Sequence, residues 1–194
     1  MSIVAISRFP VPERADLPED IAARLAAVEA KSGFVPNVFL ALAHRPAEWR
    51  AFFAYHDALM DTESAMLTKA DRELIVVATS AANGCLYCVV AHGAIARIRA
   101  GNPRIADQVA IDWRKAEITA AQRAMLDVAT RLGRDPVSVE PHHLESLRAH
   151  GFSEDDIWDI GSIVSFFAMS NRLVHLAGVP PNDEFYLLGR LPKA

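Results

Sequence analysis

The sequence predicts an all-α protein made of two related helical units, and three observations carry that prediction. Apolar residues recur at helical spacing along most of the chain. Proline and glycine fall where helices begin and end, rather than inside them. No run of alternating apolar and polar residues is long enough to make a convincing strand.

The elements follow in order. "DLPEDIAARLAAVEAKSG" offers Asp16 as a cap, Pro18 in the first turn, a stripe of Ile21, Leu25 and Val28, and Gly33 as a stop. "FVPNVFLAL" joins two helices, with Asn37 as a candidate cap for the second. "RPAEWRAFFAYHDALM" starts at Pro46 and sets Trp49, Phe52, Phe53 and Leu59 at helical spacing. Phe52, Phe53, Tyr55 and His56 read as core or pocket wall. "LTKADRELIVVATSAANG" opens with Thr68 and Asp71 in a capping-box pattern and ends at Asn83-Gly84. The next helix runs from Cys85 to about Ala100 and stops at Gly101. Four more segments continue the pattern: "NPRIADQVA", "TAAQRAMLDVATRLG", "PHHLESLRAHG" and "SEDDIWDIGSIVSFFAMSNRLVHLAG". The first six residues and the tail "DEFYLLGRLPKA" read as arms that could dock on a partner subunit. His142 and His143 follow a proline at a helix start and are expected on the surface.

An internal echo supports the two-unit organisation. "LTKADRELIVVAT" (67–79) resembles "ITAAQRAMLDVAT" (118–130) at an offset of 51 residues, with six of thirteen positions identical. Glu73 corresponds to Ala124, and the second copy has no cysteine after its helix. If both copies keep the scaffold, the scaffold requires neither Glu73 nor the thiols. We therefore read residues 1–194 as one domain. A cysteine-containing unit occupies about 30–112, a related unit without cysteine about 113–180, and a tail 181–194.

Composition excludes several classes. The chain has 194 residues, is 52% hydrophobic and carries a formal net charge of −4. A nucleic-acid binder usually presents a basic face, and here the densest basic cluster, "RIRAGNPR", reads as a solvated helix end. The most apolar stretch, "IGSIVSFFAM", is about half the ~20 residues of a membrane span, and the N-terminus lacks the pattern of a secretory signal. A cytoplasmic protein without nucleic-acid or membrane partners is expected. In that compartment a Cys-x-x-Cys is more often catalytic or metal-binding than a structural staple.

The chemistry concentrates in "NGCLYCVVAH". Cys85 and Cys88, the only two cysteines, lie three apart at the start of a helix, and His92 follows four residues later. A thiol in the first turn feels the helix dipole and free backbone N–H groups, both of which favour thiolate. The i, i+3 and i+4 spacings put all three side chains on one face. Glu73 lies twelve residues before Cys85 on the preceding, mostly apolar helix. If it is buried it needs a partner, and His92 is the obvious one. A structural disulfide and a zinc site compete with a redox pair. Structural zinc usually draws two ligand pairs from separated segments, whereas here three donors would share two turns of one helix. The redox reading fits best, and no metal is expected.

With those residues in view, "ADRELIVVATSAANGCLYCVVAH" resembles the alkylhydroperoxidase D-like group of the carboxymuconolactone decarboxylase superfamily. That group's pattern is Glu, eleven residues, then Cys-x-x-Cys-x-x-x-His. "SGFVPNVFLALAHRP" (32–46) and "GFSEDDIWDIGSIVSFFAMSNRL" (151–173) are similar to a branch labelled peroxidase-related, so the resemblance covers about 30–180. It implies an alkylhydroperoxidase D-like all-α bundle in an obligate homo-oligomer (dimer, trimer or hexamer), with Asn37 bordering the pocket.

The resemblance also implies a thiol-dependent peroxidase acting on small hydroperoxides. Cys88 would attack the peroxide, Cys85 would resolve the sulfenic acid to a disulfide, and His92 backed by Glu73 would relay the proton. No bound cofactor is implied; an external dithiol reductant protein, lipoyl-type elsewhere in the family, would reopen the disulfide. Tyr87 stands where alkylhydroperoxidases often have histidine and, with an ordinary pKa near ~10, is a weaker relay. Asn171 and Arg172 interrupt the most apolar helix; their polar groups would either meet a partner subunit or face the pocket, and the interface is the preferred reading. The rival readings are a carboxymuconolactone decarboxylase-type lyase, which needs no cysteine pair, and a non-catalytic thiol redox sensor or exchange protein.

Overall fold

The structure is a computed structural model that describes residues 5–190. Its regular elements are helical. They are α1 (Glu19–Ser32), α2 (Asn37–Leu42), α3 (Pro46–Met60), α4 (Lys69–Ala82), α5 (Leu86–Ala100), α6 (Ile105–Asp112), α7 (Ala120–Arg134), α8 (Pro141–Ala149), α9 (Glu154–Ala177) and α10 (Glu184–Leu187). Short 3₁₀ turns occur at Arg14–Asp16, Trp113–Lys115 and Pro136–Ser138. No strand occurs among the described residues.

The centre of the fold is α4, whose residues Asp71 to Ser80 are all buried. It packs against α5, α6, α7 and α9. The main core is built from Leu74, Ile75, Val77, Met125, Leu126, Ile163, Val164 and Phe166. Local chemistry explains why α4 starts and stops where it does. The Thr68 side chain accepts the Asp71 N–H while the Asp71 carboxylate accepts the Thr68 N–H, closing a capping box. At the other end Gly84 adopts φ +65°, a left-handed turn that suits glycine. That turn lets Cys85 N–H donate to the Ser80 carbonyl at 2.9 Å and begin α5. The α4–α5 corner that carries the cysteines is therefore set by backbone chemistry.

The echo at offset 51 has a structural counterpart. Thr119 and Gln122 form the same capping box on α7 that Thr68 and Asp71 form on α4. Thr79 and Thr130 each donate back to the carbonyl four residues earlier, at 2.7 Å. The two helices pack together, and Gln122 Nε2 donates to Asp71 Oδ1 at 2.7 Å, joining residues at matching positions of the two copies.

Several sequence expectations change. Asp16 does not cap α1; it lies in the first 3₁₀ turn, and Pro18 holds the N-cap position. Asn37 is the first residue of α2 rather than its cap, because its side chain is drawn to the Pro180 carbonyl. Residues 1–4 of the N-terminal arm and 191–194 of the tail lie outside the described residues; within the tail Phe185 of α10 packs edge-on against Phe34, and just past the first arm Arg8 bonds carbonyls at the end of α9. "RIRAGNPR" is only partly solvated, since Arg97 is buried and donates to the carbonyls of Phe185 and Leu188. α9 is longer than its apolar run suggests. Its 24 residues reach the length and hydropathy of a membrane span, but half of the qualifying window is buried inside the bundle. His142 is exposed, and His143 serves the α8 capping box.

Candidate functional site

Cys85 occupies the N-cap of α5, and Cys88 sits in its first turn. Both are free thiols, 1% and 2% exposed. They are buried among Phe34, Tyr87, Ala91, Val174, Ala177 and Phe185. The hydrogen bond from Cys88 holds the Cys85 thiol down to about 7, against the opposing effect of burial. Backbone N–H groups of Cys88 and Tyr87, and the nearby His175, act in the same direction. Cys88 is pushed well above its ordinary value, chiefly by Cys85 and by burial. The two sulfurs thus share a proton and ionise as a unit.

Cys88 has polar neighbours on its other side. Ser80 and Asn171 bond to it and partly offset the upward push. Asn171 Nδ2 donates to Ser80 Oγ at 3.0 Å, and Asn83 Nδ2 donates to Asn171 Oδ1 at 2.9 Å. Asn171 is 1% exposed, so the expectation that it meets a partner subunit gives way to a role inside the thiol cluster. Arg172, one residue on, is exposed and bonds the Ala168 carbonyl of its own helix. His175 Nε2 donates to the Asn83 carbonyl at 3.2 Å. This fixes an exposed imidazole beside Cys85.

Glu73 and His92 form the second half of the site. Glu73 is 2% exposed, and its Oε2 accepts from His92 Nδ1 at 2.8 Å. Its other oxygen accepts from Arg99 Nη1 at 3.0 Å. With Nδ1–H committed to the carboxylate, Nε2 is the nitrogen left to take a proton. His92 lies edge-on to Phe167 at 4.7 Å, and His56 stands 6.3 Å away, centroid to centroid. No hydrogen bond joins His92 to either sulfur among the described residues; the link is the shared helix α5, where His92 lies one turn beyond Cys88.

The remaining expected residues divide. His56 stands beside His92, with Nδ1 against Asp57 Oδ1 at 3.2 Å, and Asp57 is in turn paired with Arg24. Tyr87 is turned away from His92: its hydroxyl oxygen accepts the Val38 N–H at 3.4 Å, and burial pushes the phenol well above its usual value. It braces α5 against α2. Asn37 is tied to the 180–182 loop through Asn182 Oδ1 and the Pro180 carbonyl. Ser80, His175 and Arg99 were not expected in the site. Spacing hints at two of them: Ser80 is seven residues after Glu73 and Arg99 seven after His92, so each recurs on the same helical face two turns on. Among the described residues no group of three His, Cys, Asp or Glu side chains is arranged to hold a metal ion. Neither cysteine lines the apolar cavity of about 450 Å³ between α3 and α9, although its wall residue Ala177 also packs in the thiol cluster. Two of its walls, Phe52 and Phe166, stand next to each other, and Phe166 borders His56.

Fold and site together define an all-helical protein with a buried dithiol next to a carboxylate-held histidine. Residues 46–131 match the carboxymuconolactone decarboxylase family profile. The chain is 58% identical to an alkylhydroperoxidase AhpD core, uncharacterized peroxidase-related protein from Ralstonia eutropha JMP134. That crystal structure superposes with a TM-score of 0.96 over 98% of this chain and 100% of the other. This chain is also 36% identical to an uncharacterized peroxidase-related protein from Silicibacter sp. TM1040, with a TM-score of 0.91 over 98% and 99% of the two chains. The apo debrominase Bmp8, at 20% identity and a TM-score of 0.77 over 96% and 97%, shares the fold alone. No curated protein matches. The chain belongs to the carboxymuconolactone decarboxylase superfamily, in its alkylhydroperoxidase D-like, peroxidase-related branch.

Proposed function

We propose that this protein is a thiol-dependent peroxidase that reduces small hydroperoxides. The observation that carries the reading is the pairing of a dithiol, whose first ionisation lies near 7, with an imidazole held by a buried carboxylate. A thiolate is the attacking species, and this pair supplies one at neutral pH.

In the proposed cycle Cys88 attacks the terminal oxygen of the hydroperoxide. Before the attack the pair loses one proton to His92 Nε2, and the remaining proton sits on Cys85 so that the charge is on Cys88. A sulfur–oxygen bond forms, the O–O bond breaks, and the leaving alkoxide takes the proton held by His92 to depart as the alcohol. Cys85 then attacks the sulfenic sulfur, the disulfide forms, and the leaving hydroxide takes the Cys85 thiol proton to depart as water. An external dithiol, of the lipoyl or protein class, reopens the disulfide by exchange and is itself oxidised. Cys85 is the sulfur beside the exposed His175, which suits it to that exchange. We assign the active form to a homo-oligomer, and the outward apolar stripe of Trp158, Met169, Leu173 and Leu176 on α9 is consistent with one.

Mass spectrometry after one equivalent of peroxide tests the cycle. The expected product is an intramolecular Cys85–Cys88 disulfide that returns to two thiols with dithiol reductant. In Cys85→Ser a dimedone-type trap should label Cys88. Two thiols that persist under excess peroxide would end this reading. Labelling of Cys85 in Cys88→Ser, with Cys88 inert in the reciprocal variant, would exchange the two roles.

A further inference from the structure

We infer that the second unit carries a separate anion site: a pocket in which Arg114, Arg131 and Arg134 bind a phosphate group. The pocket has a volume of about 250 Å³ and is also lined by Asp127, Asp135 and Ser138. Asp127, Arg131 and Arg134 fall at i, i+4 and i+7 of α7 and so share one face. Arg114 enters from the 3₁₀ turn Trp113–Lys115, with its guanidinium 4.2 Å over the Trp113 ring.

The arginines of this chain single the pocket out. Every other arginine among the described residues has a hydrogen-bond partner for its guanidinium, either a carboxylate or a backbone carbonyl. Arg114, Arg131 and Arg134 form no ion pair among the described residues, although two carboxylates line the same pocket. Arg131 Nε is buried and has no hydrogen-bond partner. Leaving a buried donor without a partner is unfavourable, so the arrangement favours a ligand that supplies oxygen acceptors. Three guanidiniums fit a tetrahedral oxyanion, which accepts several N–H bonds at once. The carboxylates of Asp127 and Asp135 leave the lining one net positive charge, which suits a single phosphate group rather than a polyanion.

The internal repeat gives the pocket its logic. At the offset of 51, Arg131 corresponds to Ser80 and Arg134 to Asn83, two of the polar residues clustered with Cys88. Matching helix ends therefore present neutral hydrogen-bonding groups to a thiol in one unit and cations to the pocket in the other.

The test uses the full-length protein and does not depend on its redox activity. Inorganic phosphate and a simple sugar phosphomonoester are titrated separately, against chloride at matched ionic strength. Binding is read from the arginine Nε–H resonances and from the thermal midpoint. We expect a saturable response to phosphate that chloride does not produce. Tighter binding of the phosphomonoester would identify a metabolite as the source, and equal binding free phosphate; either supports the site. Arg134→Gln, at an exposed position that leaves the core untouched, should weaken binding by roughly tenfold or more. Arg131→Gln should do the same, while Arg148→Gln, whose partner is Glu154, should not. No saturable response, the same response to chloride, or full binding in Arg134→Gln would each overturn the proposal.

Discussion

The two copies of the repeated helix make a controlled comparison inside one molecule. α4 and α7 share a threonine capping box, a buried threonine that bonds four residues back, and a common packing interface. They part at residues the scaffold does not need. Glu73, buried against His92 and Arg99, stands opposite Ala124; the turn after α4 leads into the cysteines, while the turn after α7 leads into a 3₁₀ turn at Pro136. A carboxylate 2% exposed in the middle of the hub helix is costly to bury alone. The copy without thiols has none, so the carboxylate goes with the thiols, and in this copy it is satisfied by His92 and Arg99.

The largest effect should come from removing what the second copy lacks altogether. Cys88→Ser should abolish peroxide turnover, and Cys85→Ser should leave at most one slow oxidation without resolution. The pH profile of alkylation sharpens this. In the native pair the rate should rise through a midpoint near 7, because Cys85 is held there by the hydrogen bond from Cys88. Cys88→Ala and Cys85→Ser should both move the midpoint upward. Cys88→Ala removes that hydrogen bond, and Cys85→Ser leaves a thiol that burial keeps high. A midpoint that stays near 7 in both would break the shared-proton account.

Next comes Glu73→Gln, which makes the first copy more like the second. Losing the charged acceptor of His92 Nδ1–H should slow turnover by roughly 10²–10⁴. Helix propensity alone suggests that the fold would not notice. The Arg99 contact predicts otherwise: a guanidinium that loses its charged acceptor should destabilise the protein by about 1–3 kcal/mol, measured by denaturant unfolding. Full activity in this variant would reduce the site to a bare thiol pair.

Arg99 itself should have a smaller effect, because it acts through Glu73. Its Nη1 also reaches the carbonyls of Met60 and Lys69, so it anchors the carboxylate to two loop ends. Arg99→Met should slow turnover less than Glu73→Gln does and alter its pH dependence, and Arg99→Lys should restore part of the rate. If Met and Lys at this position give the same pH–rate profile, Arg99 is packing and nothing more.

What the sequence could disclose follows the range of the interactions. Thr68 with Asp71, Pro46 at a helix start and Gly101 at a helix end are local signals, and the helices they mark are where they were expected. The Glu73, Cys85, Cys88 and His92 spacing was legible because two adjacent helices carry it. Asn171 was visible as a polar break in an apolar helix, but its partner Ser80 lies 91 residues away, and nothing local pointed to it. Arg99 was hidden in a basic cluster that read as solvated, since its carboxylate lies 26 residues back on another helix. Asp16 and Asn37 have the chemistry of caps, but neither caps the helix it precedes or opens, and Asn37 is held instead by the 180–182 loop.

The smallest effect belongs to the one hydrogen bond that joins the copies at matching positions. Gln122 holds the N3 place of the α7 capping box, where its Oε1 accepts the Thr119 N–H at 2.9 Å. Its Nε2 donates at 2.7 Å to Asp71 Oδ1, the N3 residue of α4. Gln122→Ala removes both bonds and leaves a mostly buried carboxylate with one oxygen less well satisfied. Asp71 keeps its own capping bonds to Thr68 through Oδ2, so α4 stays capped and the cost should be about 1 kcal/mol. Glu73 and the cysteines lie further along the chain, beyond the first turn of α4 that holds Asp71, so peroxide turnover and the alkylation midpoint near 7 should not move. Gln122→Glu should cost more than Gln122→Ala, because it sets two carboxylates against each other where an amide had donated. Equal stability of the two variants would mean that the helices are joined by apolar packing alone.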